Sequence, residues 1–170
     1  MNKLRVVIGG LLIAGAVSAM AAGVETKTKD EAEIRALEQR FAAAFRAKDI
    51  NAILAVYVPD QSLFVFDVVP PRQYVGANAY RKDWENFFAS YPGPADFEIT
   101  DLDIVTDGNL GFSHSIQHPV LTDKDGKQTD LVVRVTDGYR KIKGKWLIVQ
   151  EHVSVPVDLA TGKADLSSKP

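Results

Sequence analysis

The sequence contains no cysteine among its 170 residues. This absence excludes disulfide bonds, thiolate nucleophiles and cysteine-ligated zinc, and it excludes a lipoprotein, which needs a cysteine to acylate. The sequence also lacks a dinucleotide-binding glycine loop, a Walker loop and a G-x-S-x-G elbow. We therefore expect no cofactor, and any chemistry must come from acids, histidines, arginines and hydroxyl groups.

The sequence also has no excess of basic residues. The chain has 20 lysines and arginines against 22 aspartates and glutamates, a formal net charge of −2. Without residues 1–22, which hold Lys3 and Arg5 and no acid, the net charge becomes −4. Nucleic acids and anionic membranes bind basic patches, so this composition argues against both as partners.

Only one apolar run suggests targeting, and it lies at the N-terminus. Lys3 and Arg5 precede the run from Val6 to Val17, and Ala19-Met20-Ala21 follows it as a small-residue cleavage pattern. The run is too short to span a bilayer. We predict a Sec-type signal peptide and hence a bacterial periplasmic or secreted protein that leaves the membrane after cleavage. The alternative is a retained N-terminal anchor.

The remaining chain, about 148 residues, has the size of one domain. No internal repeat or low-complexity segment divides it. We predict four segments along the whole chain: a signal peptide at 1–22, a flexible leader at 23–29, a folded domain at 30–157 and a polar tail at 158–170.

The order of predicted elements indicates an α+β fold. Helical periodicity predicts helices near 30–48, 50–57 and 77–91, and alternation predicts strands near 62–66, 96–106, 110–121, 129–141 and 145–155. Three helices with one strand between them are thus followed by four antiparallel strands. Helices on one face of a strongly curved sheet make a cone, and its apolar interior can hold a small molecule.

The stretch from Phe64 to Trp84 carries the most informative acid. Asp67 follows an apolar strand and precedes Val-Val-Pro-Pro, and the two prolines prevent a central strand from continuing. A carboxylate between apolar residues has a raised pKa unless it is paired, so Asp67 is a candidate general base. The alternative is an aspartate that caps a turn.

The element order, the segment FDVVPPRQYVG and the ending GKWLIVQEHVSVP resemble the SnoaL-like group of the nuclear-transport-factor-2-like superfamily. The resemblance covers essentially the whole chain after the signal peptide. It implies a cystatin-like α+β barrel, in which a curved antiparallel sheet and three N-terminal helices enclose a pocket. It also implies a homodimer formed through the sheet.

Within this superfamily the chain resembles ketosteroid isomerase. Asp67 stands nine residues before Gly76, as the catalytic aspartate of that enzyme stands before its loop glycine. Tyr57 and Trp84 align with two tyrosines of its hydrogen-bond network. The oxyanion-hole tyrosine and aspartate fall instead at Phe41 and at Thr136, so steroid isomerisation itself is not implied.

The same alignment, together with strand alternation, predicts which of the other polar residues face the pocket and which face away from it. If Thr136 faces the pocket, so does Arg134, and on the neighbouring strand so do His114 and His118. On the last strand Glu151 faces the pocket and His152 faces away, although a one-residue slip in register reverses this assignment. The aspartate with one or two histidines suits proton transfer at neutral pH, similar to the pocket of scytalone dehydratase.

We therefore predict a cofactor-independent isomerase or lyase that removes a proton next to a carbonyl of a small, mostly apolar compound. The predicted catalytic residues are Asp67, His114 and Arg134, and the predicted pocket residues are Phe41, Tyr57, Tyr74, Trp84, His118, Thr136 and Glu151. Two alternatives stay open: a small-ligand-binding domain without turnover, and an accessory or oligomerisation domain. No metal is expected, because residues 114 and 118 lie roughly 13 Å apart along a strand.

Overall fold

The structure is a computed structural model that describes residues 14–168, with side chains from residue 27 onward. The predicted signal peptide falls largely outside the described residues, and it stays a prediction. Within the described part of the chain, no helix is long and apolar enough to cross a membrane.

Three helices precede most of the sheet: α1 (Ala14–Ala47), α2 (Ile50–Leu54) and α3 (Ala77–Ser90). Helix α1 includes residues 23–29, so the stretch predicted as a flexible leader is helical. Its buried stripe of Ile34, Leu37, Phe41 and Phe45 follows the predicted spacing and supplies one side of the core. The side chain of Asp49 caps α2 by accepting a 3.0 Å hydrogen bond from the backbone N–H of Ala52.

The sheet is built mainly from long antiparallel strands. Its members are β1 (Phe64–Phe66), β2 (Tyr74–Val75), β3 (Ala95–Asp107), β4 (Leu110–Thr122), β5 (Gln128–Asp130), β6 (Val133–Ile142) and β7 (Lys145–Ser154). They run in the order β2-β1-β7-β6-β4-β3, with β5 beside β4, and among the described strands only β1 and β7 pair in parallel. The curved sheet does not close into a barrel, and the α+β prediction is confirmed.

Two irregularities interrupt the long ladders. In β3 the register shifts between Thr100 and Asp103, where Asp101 has a φ of 51°. Between β6 and β7 it shifts at Gly138/Tyr139. Bulges of this kind bend a strand and increase its twist, which helps the sheet to wrap around the aromatic core contributed by α1 and α3.

The chain after the last long strand forms a small hairpin. Strands β8 (Val157–Asp158) and β9 (Lys163–Ala164) pair with each other, and the backbone N–H of Val132 donates a 2.8 Å hydrogen bond to the carbonyl of Leu166. The polar tail predicted from residue 158 onward is therefore attached to the loop before β6.

The faces of β4 and β6 are the reverse of those predicted. On β4 the buried side chains are Ser113, Ser115, Gln117, Pro119 and Leu121, and on β6 they are Val133, Val135, Asp137 and Tyr139. The intervening residues of both strands point to the outer face of the sheet. Since successive side chains alternate, a shift of one residue moved the whole predicted set to the wrong side.

Candidate functional site

A cavity of about 300 Å³ lies between the helices and the inner face of the sheet. Its apolar wall consists mostly of aromatic rings: Phe41, Phe45, Trp84, Phe87, Tyr91 and Phe97. The rings pack edge to face; for example, the Phe41 and Phe97 centroids are 5.4 Å apart at 79°. This volume is at the lower end of the range for ligand pockets, so the cavity suits a small molecule.

Asp67 lies at this cavity, directly after β1. It is half-buried, and its Oδ1 accepts a 2.5 Å hydrogen bond from the backbone N–H of Val68. Burial, with a smaller contribution from the nearby Asp83 carboxylate, raises the pKa of Asp67 to about 6, although the backbone hydrogen bonds oppose this shift. The carboxyl group is therefore mainly ionised at neutral pH and basic enough to accept a proton.

Glu151 on β7 is the second acid of the cavity wall. Tyr57 donates a 2.6 Å hydrogen bond to its Oε2, and Tyr80 donates one of 2.6 Å to its Oε1. Burial raises the pKa of Glu151 to about 7, although the two tyrosine hydrogen bonds stabilise the ionised form. At neutral pH this carboxyl group therefore exists in both protonation states.

The third acid, Asp83, belongs to α3 together with Trp84. Asp83 lines the cavity, and its Oδ1 accepts a 2.6 Å hydrogen bond from the hydroxyl of Tyr74. Trp84 also lines the cavity and is 8% exposed, yet its Nε1–H has no hydrogen-bond partner among the described residues. A buried donor without a partner is costly, and a ligand with an acceptor atom would satisfy it.

A second group of buried acids lies behind the cavity. Tyr139 donates a 2.7 Å hydrogen bond to Glu38 of α1 and shares a 2.7 Å hydrogen bond with Ser113. Asp137 is opposite Glu151 in the β6–β7 ladder, and its Oδ1 has no partner in the described part of the chain. Burial raises the pKa of Glu38 to about 7 and raises that of Asp137 well above its ordinary range.

The structure brings some of the predicted site residues together. Four of them, Phe41, Asp67, Trp84 and Glu151, line the cavity. Tyr57 and Tyr74 stand behind it, because each donates its hydroxyl hydrogen to an acid of the wall. The catalytic role of Asp67 stays a prediction.

The other four predicted residues do not reach the cavity. Arg134, Thr136 and His114 are exposed on the outer face of the sheet, and His118, also on this face, contacts Asp130. The prediction that they face the pocket is wrong, because the alignment that placed Thr136 inside set the register of both strands. His152 lies outside as predicted, with its ring centroid 5.5 Å from that of Phe66.

Several residues of the site were missed by the sequence analysis, although signals for them exist. Glu38 is four residues after Ile34 and therefore lies on the apolar face of α1. A charged residue on such a face indicates a buried acid. Asp137 occupies the same alternating positions as Val133 and Val135. On α3, Tyr80 is one helical turn before Trp84 and Asp83 directly precedes it, so both could have been predicted to lie near the same cavity.

Electrostatically, the cavity wall is acidic. It contains Asp67, Asp83 and Glu151, and no lysine, arginine or histidine belongs to it among the described residues. In residues 27–168, no group of three or more histidines and acids is placed to hold a metal ion. The expectation that the protein needs no metal or cofactor stays a prediction.

Comparisons with solved structures agree on the fold. An NTF2-like protein of unknown function from Pseudomonas putida KT2440 is 34% identical, with 84% of this chain and 98% of that chain covered and a TM-score of 0.75. A ketosteroid isomerase-like protein from Erwinia carotovora atroseptica SCRI1043 is 23% identical over 72% and 93% of the two chains, with a TM-score of 0.62.

A third structure, provisionally named a scytalone dehydratase, comes from Novosphingobium aromaticivorans DSM 12444. It is 14% identical over 74% of this chain and 83% of that chain, with a TM-score of 0.67, so the likeness concerns the fold alone. The comparison with curated proteins found no match. A family model described as the SnoaL-like domain matches residues 34–158. The chain therefore belongs to the SnoaL-like family, within the NTF2-like superfamily.

Proposed function

We propose that this protein is a cofactor-independent isomerase or lyase that removes a proton next to a carbonyl group of a small, mostly apolar compound. The observation that carries the proposal is Asp67, which lies at an aromatic cavity without a basic partner in the described wall. Its pKa of about 6 suits a general base at neutral pH.

Asp67 begins the reaction by taking the proton from the carbon next to the carbonyl. The electron pair of the broken C–H bond forms a C=C bond, and the carbonyl π electrons move to the oxygen. The indole N–H of Trp84, which has no partner among the described residues, is a donor available to that oxygen. Trp84 thus takes the place of Arg134, which was predicted to be catalytic but lies on the outer face of the sheet.

The second half of the reaction depends on the reaction type, and Glu151 supplies the acid where a hydroxyl group leaves. In an isomerisation, Asp67 returns its proton to a different carbon of the same intermediate. In a dehydration, the oxygen of the intermediate re-forms the carbonyl, and the electrons of its C=C bond form a new C=C bond to the next carbon as the C–O bond to the hydroxyl group on that carbon breaks. The proton of neutral Glu151 converts the departing hydroxide to water. Two acids in one cavity with pKa values of about 6 and about 7 divide the roles of base and acid.

Proton exchange at carbon tests the proposal without a known substrate. The full-length chain is incubated in deuterated buffer with small cyclic ketones, and NMR records deuterium uptake next to the carbonyl. We expect catalysed exchange that falls at least about 100-fold in Asp67→Asn, because a positioned base contributes that much or more. Asn keeps an acceptor for the Val68 N–H.

Asp103→Asn is the matched control, because Asp103 is exposed on β3. Exchange that survives in Asp67→Asn would contradict the proposal. Ligand binding with no exchange in any variant would instead favour the alternative, a binding domain without turnover.

We propose in addition that the protein is exported and forms a homodimer through its sheet. The basic residues Lys3 and Arg5 before an apolar run support export. The outer face offers apolar area for a dimer, since Phe112 is 50% exposed and Leu110 is 57% exposed. Mass spectrometry of the mature N-terminus and light scattering of the purified protein test these two statements.

A further inference from the structure

The charge of the cavity wall limits which ligands it can accept. Asp67, Asp83 and Glu151 contribute carboxyl groups, while the wall holds no basic side chain among the described residues. Lys48 is close to this region, but its ammonium group donates to the carbonyls of Tyr91 and Gly93 and lies 5.8 Å from the centroid of the Phe88 ring. It is not part of the wall.

A negatively charged ligand would be repelled by such a wall. The same holds for an anionic intermediate, because proton transfer moves the negative charge from Asp67 to the ligand, where it still faces Asp83 and Glu151. A buried charge without a compensating partner is strongly disfavoured. A positive charge on the ligand itself would supply the partner that the wall lacks.

The aromatic wall suits a positive charge as well. The faces of Trp, Tyr and Phe rings attract cations, and the attraction is strongest where the cation is removed from water. Trp84 and Tyr80 are next to each other in the wall, with ring centroids 5.6 Å apart, and Asp83 belongs to the same helix. Rings and carboxylates together form the usual environment of a bound ammonium group.

The unpartnered indole N–H of Trp84 is a second, independent indication of a ligand. It is buried in the cavity wall, has no acceptor among the described residues and requires one, such as a carbonyl oxygen. The ligand should thus combine a hydrogen-bond acceptor with a positive charge on an apolar body.

We infer that the cavity binds a small amine cation, an ammonium or protonated ring nitrogen on an aromatic or apolar body that also carries a carbonyl group. The carbonyl part rests on the proposed function, whereas the charge does not. A positive nitrogen near the reacting carbon makes its C–H bond more acidic, and it neutralises the anion that forms when Asp67 takes the proton.

Three probes of similar shape test the charge: phenyltrimethylammonium, tert-butylbenzene and benzenesulfonate. Their binding to the full-length chain is measured by NMR. We expect the cation to bind at least about tenfold more tightly than the neutral isostere, and the sulfonate to bind more weakly than both. Asp83→Asn should weaken cation binding about tenfold and leave tert-butylbenzene unchanged, because Asn still accepts from Tyr74 but carries no charge.

Asp107 is exposed on β3, and the control variant Asp107→Asn should leave the binding of all three probes unchanged. Equal binding of cation and neutral isostere, preference for the sulfonate, or no binding of the cation would each overturn the inference. So would cation binding that Asp83→Asn does not weaken.

The two proposals fail in different experiments. If neutral ketones exchange deuterium in an Asp67-dependent way and the cation has no advantage, the charge inference falls and the proposed function stands. If the cation binds preferentially and no ketone or aminoketone exchanges, the charge inference stands and the proposed function falls.

Discussion

Glu151→Gln should make the protein more stable at alkaline pH, although the change removes a buried hydrogen-bonded acid. The side chain of Glu151 is 5% exposed, and its pKa of about 7 in the folded protein compares with an ordinary value of 4.5. Between these two values the folded state holds a proton that the unfolded state has lost. The free energy of unfolding therefore falls as the pH rises through this interval.

The size of the effect follows from the two pKa values. Each pKa unit corresponds to about 1.4 kcal/mol, so Glu151 costs the folded state about 3 kcal/mol once the pH has passed 7. Below pH 4.5 both states are protonated and the cost disappears. The glutamine of the variant would have no charge to bury, and its amide can accept from one of Tyr57 and Tyr80 while donating to the other.

Urea unfolding followed by tryptophan fluorescence, repeated from pH 4 to pH 8, measures this difference. We expect the wild-type curve to fall more steeply with pH than the curve of the variant, with the two close together at pH 4. Glu98 is exposed, so the curve of the control variant Glu98→Gln should run parallel to the wild-type curve. Parallel curves for Glu151→Gln would refute the reasoning, because they would mean that the pKa of Glu151 is the same in the folded and the unfolded state.

Two further changes test the surroundings of the site. Tyr139→Phe removes the donor to Glu38, so we expect a loss of about 1–3 kcal/mol that is larger at pH 8 than at pH 5; a loss independent of pH would contradict the hydrogen bond to the carboxylate. Gly76→Ala should cost about 1–3 kcal/mol, more than Gly108→Ala, because Gly76 precedes α3 with φ 88° and ψ 147°, where only glycine is unstrained. Thermal unfolding of the pair measures the difference, and equal losses would show that the conformation of Gly76 is not decisive.

Much of the fold could be predicted because its apolar pattern is regular. The stripe of α1 through Phe41 and Phe45 has helical spacing, and the glycines and prolines between elements occur where the structure has turns. Helix α3 and the four long strands also lie within a few residues of their predicted bounds. In these segments the local preference and the final packing agree.

The register of β4 could not be read from its own sequence. Its inner face carries Ser113, Ser115 and Gln117 before it reaches Leu121. Its outer face carries Phe112 and Ile116 beside the two histidines, so over most of the strand the buried face is the less apolar one. Alternation identifies a core face only when that face is the more hydrophobic one.

The neighbouring strand β6 held the missing information. Val133, Val135 and Tyr139 occupy its odd positions, whereas the even positions from 134 to 140 hold only arginine, threonine and glycine. Pairing of His114 with Thr136 then fixes β4 as well. The acid at Asp137 obscured this signal, because a charged residue in the middle of an apolar series is itself unusual.

The parallel pairing of β1 with β7 has a consequence for how the site is assembled. Val65 is opposite Glu151, two residues before Asp67, so a short early strand and the last long strand bring the two acids together. A ribosome-bound chain that ends before residue 145 contains the base but neither its partner acid nor the strand beside it. Because such distant contacts form late, the pocket becomes complete only when the C-terminal strand docks beside the N-terminal one.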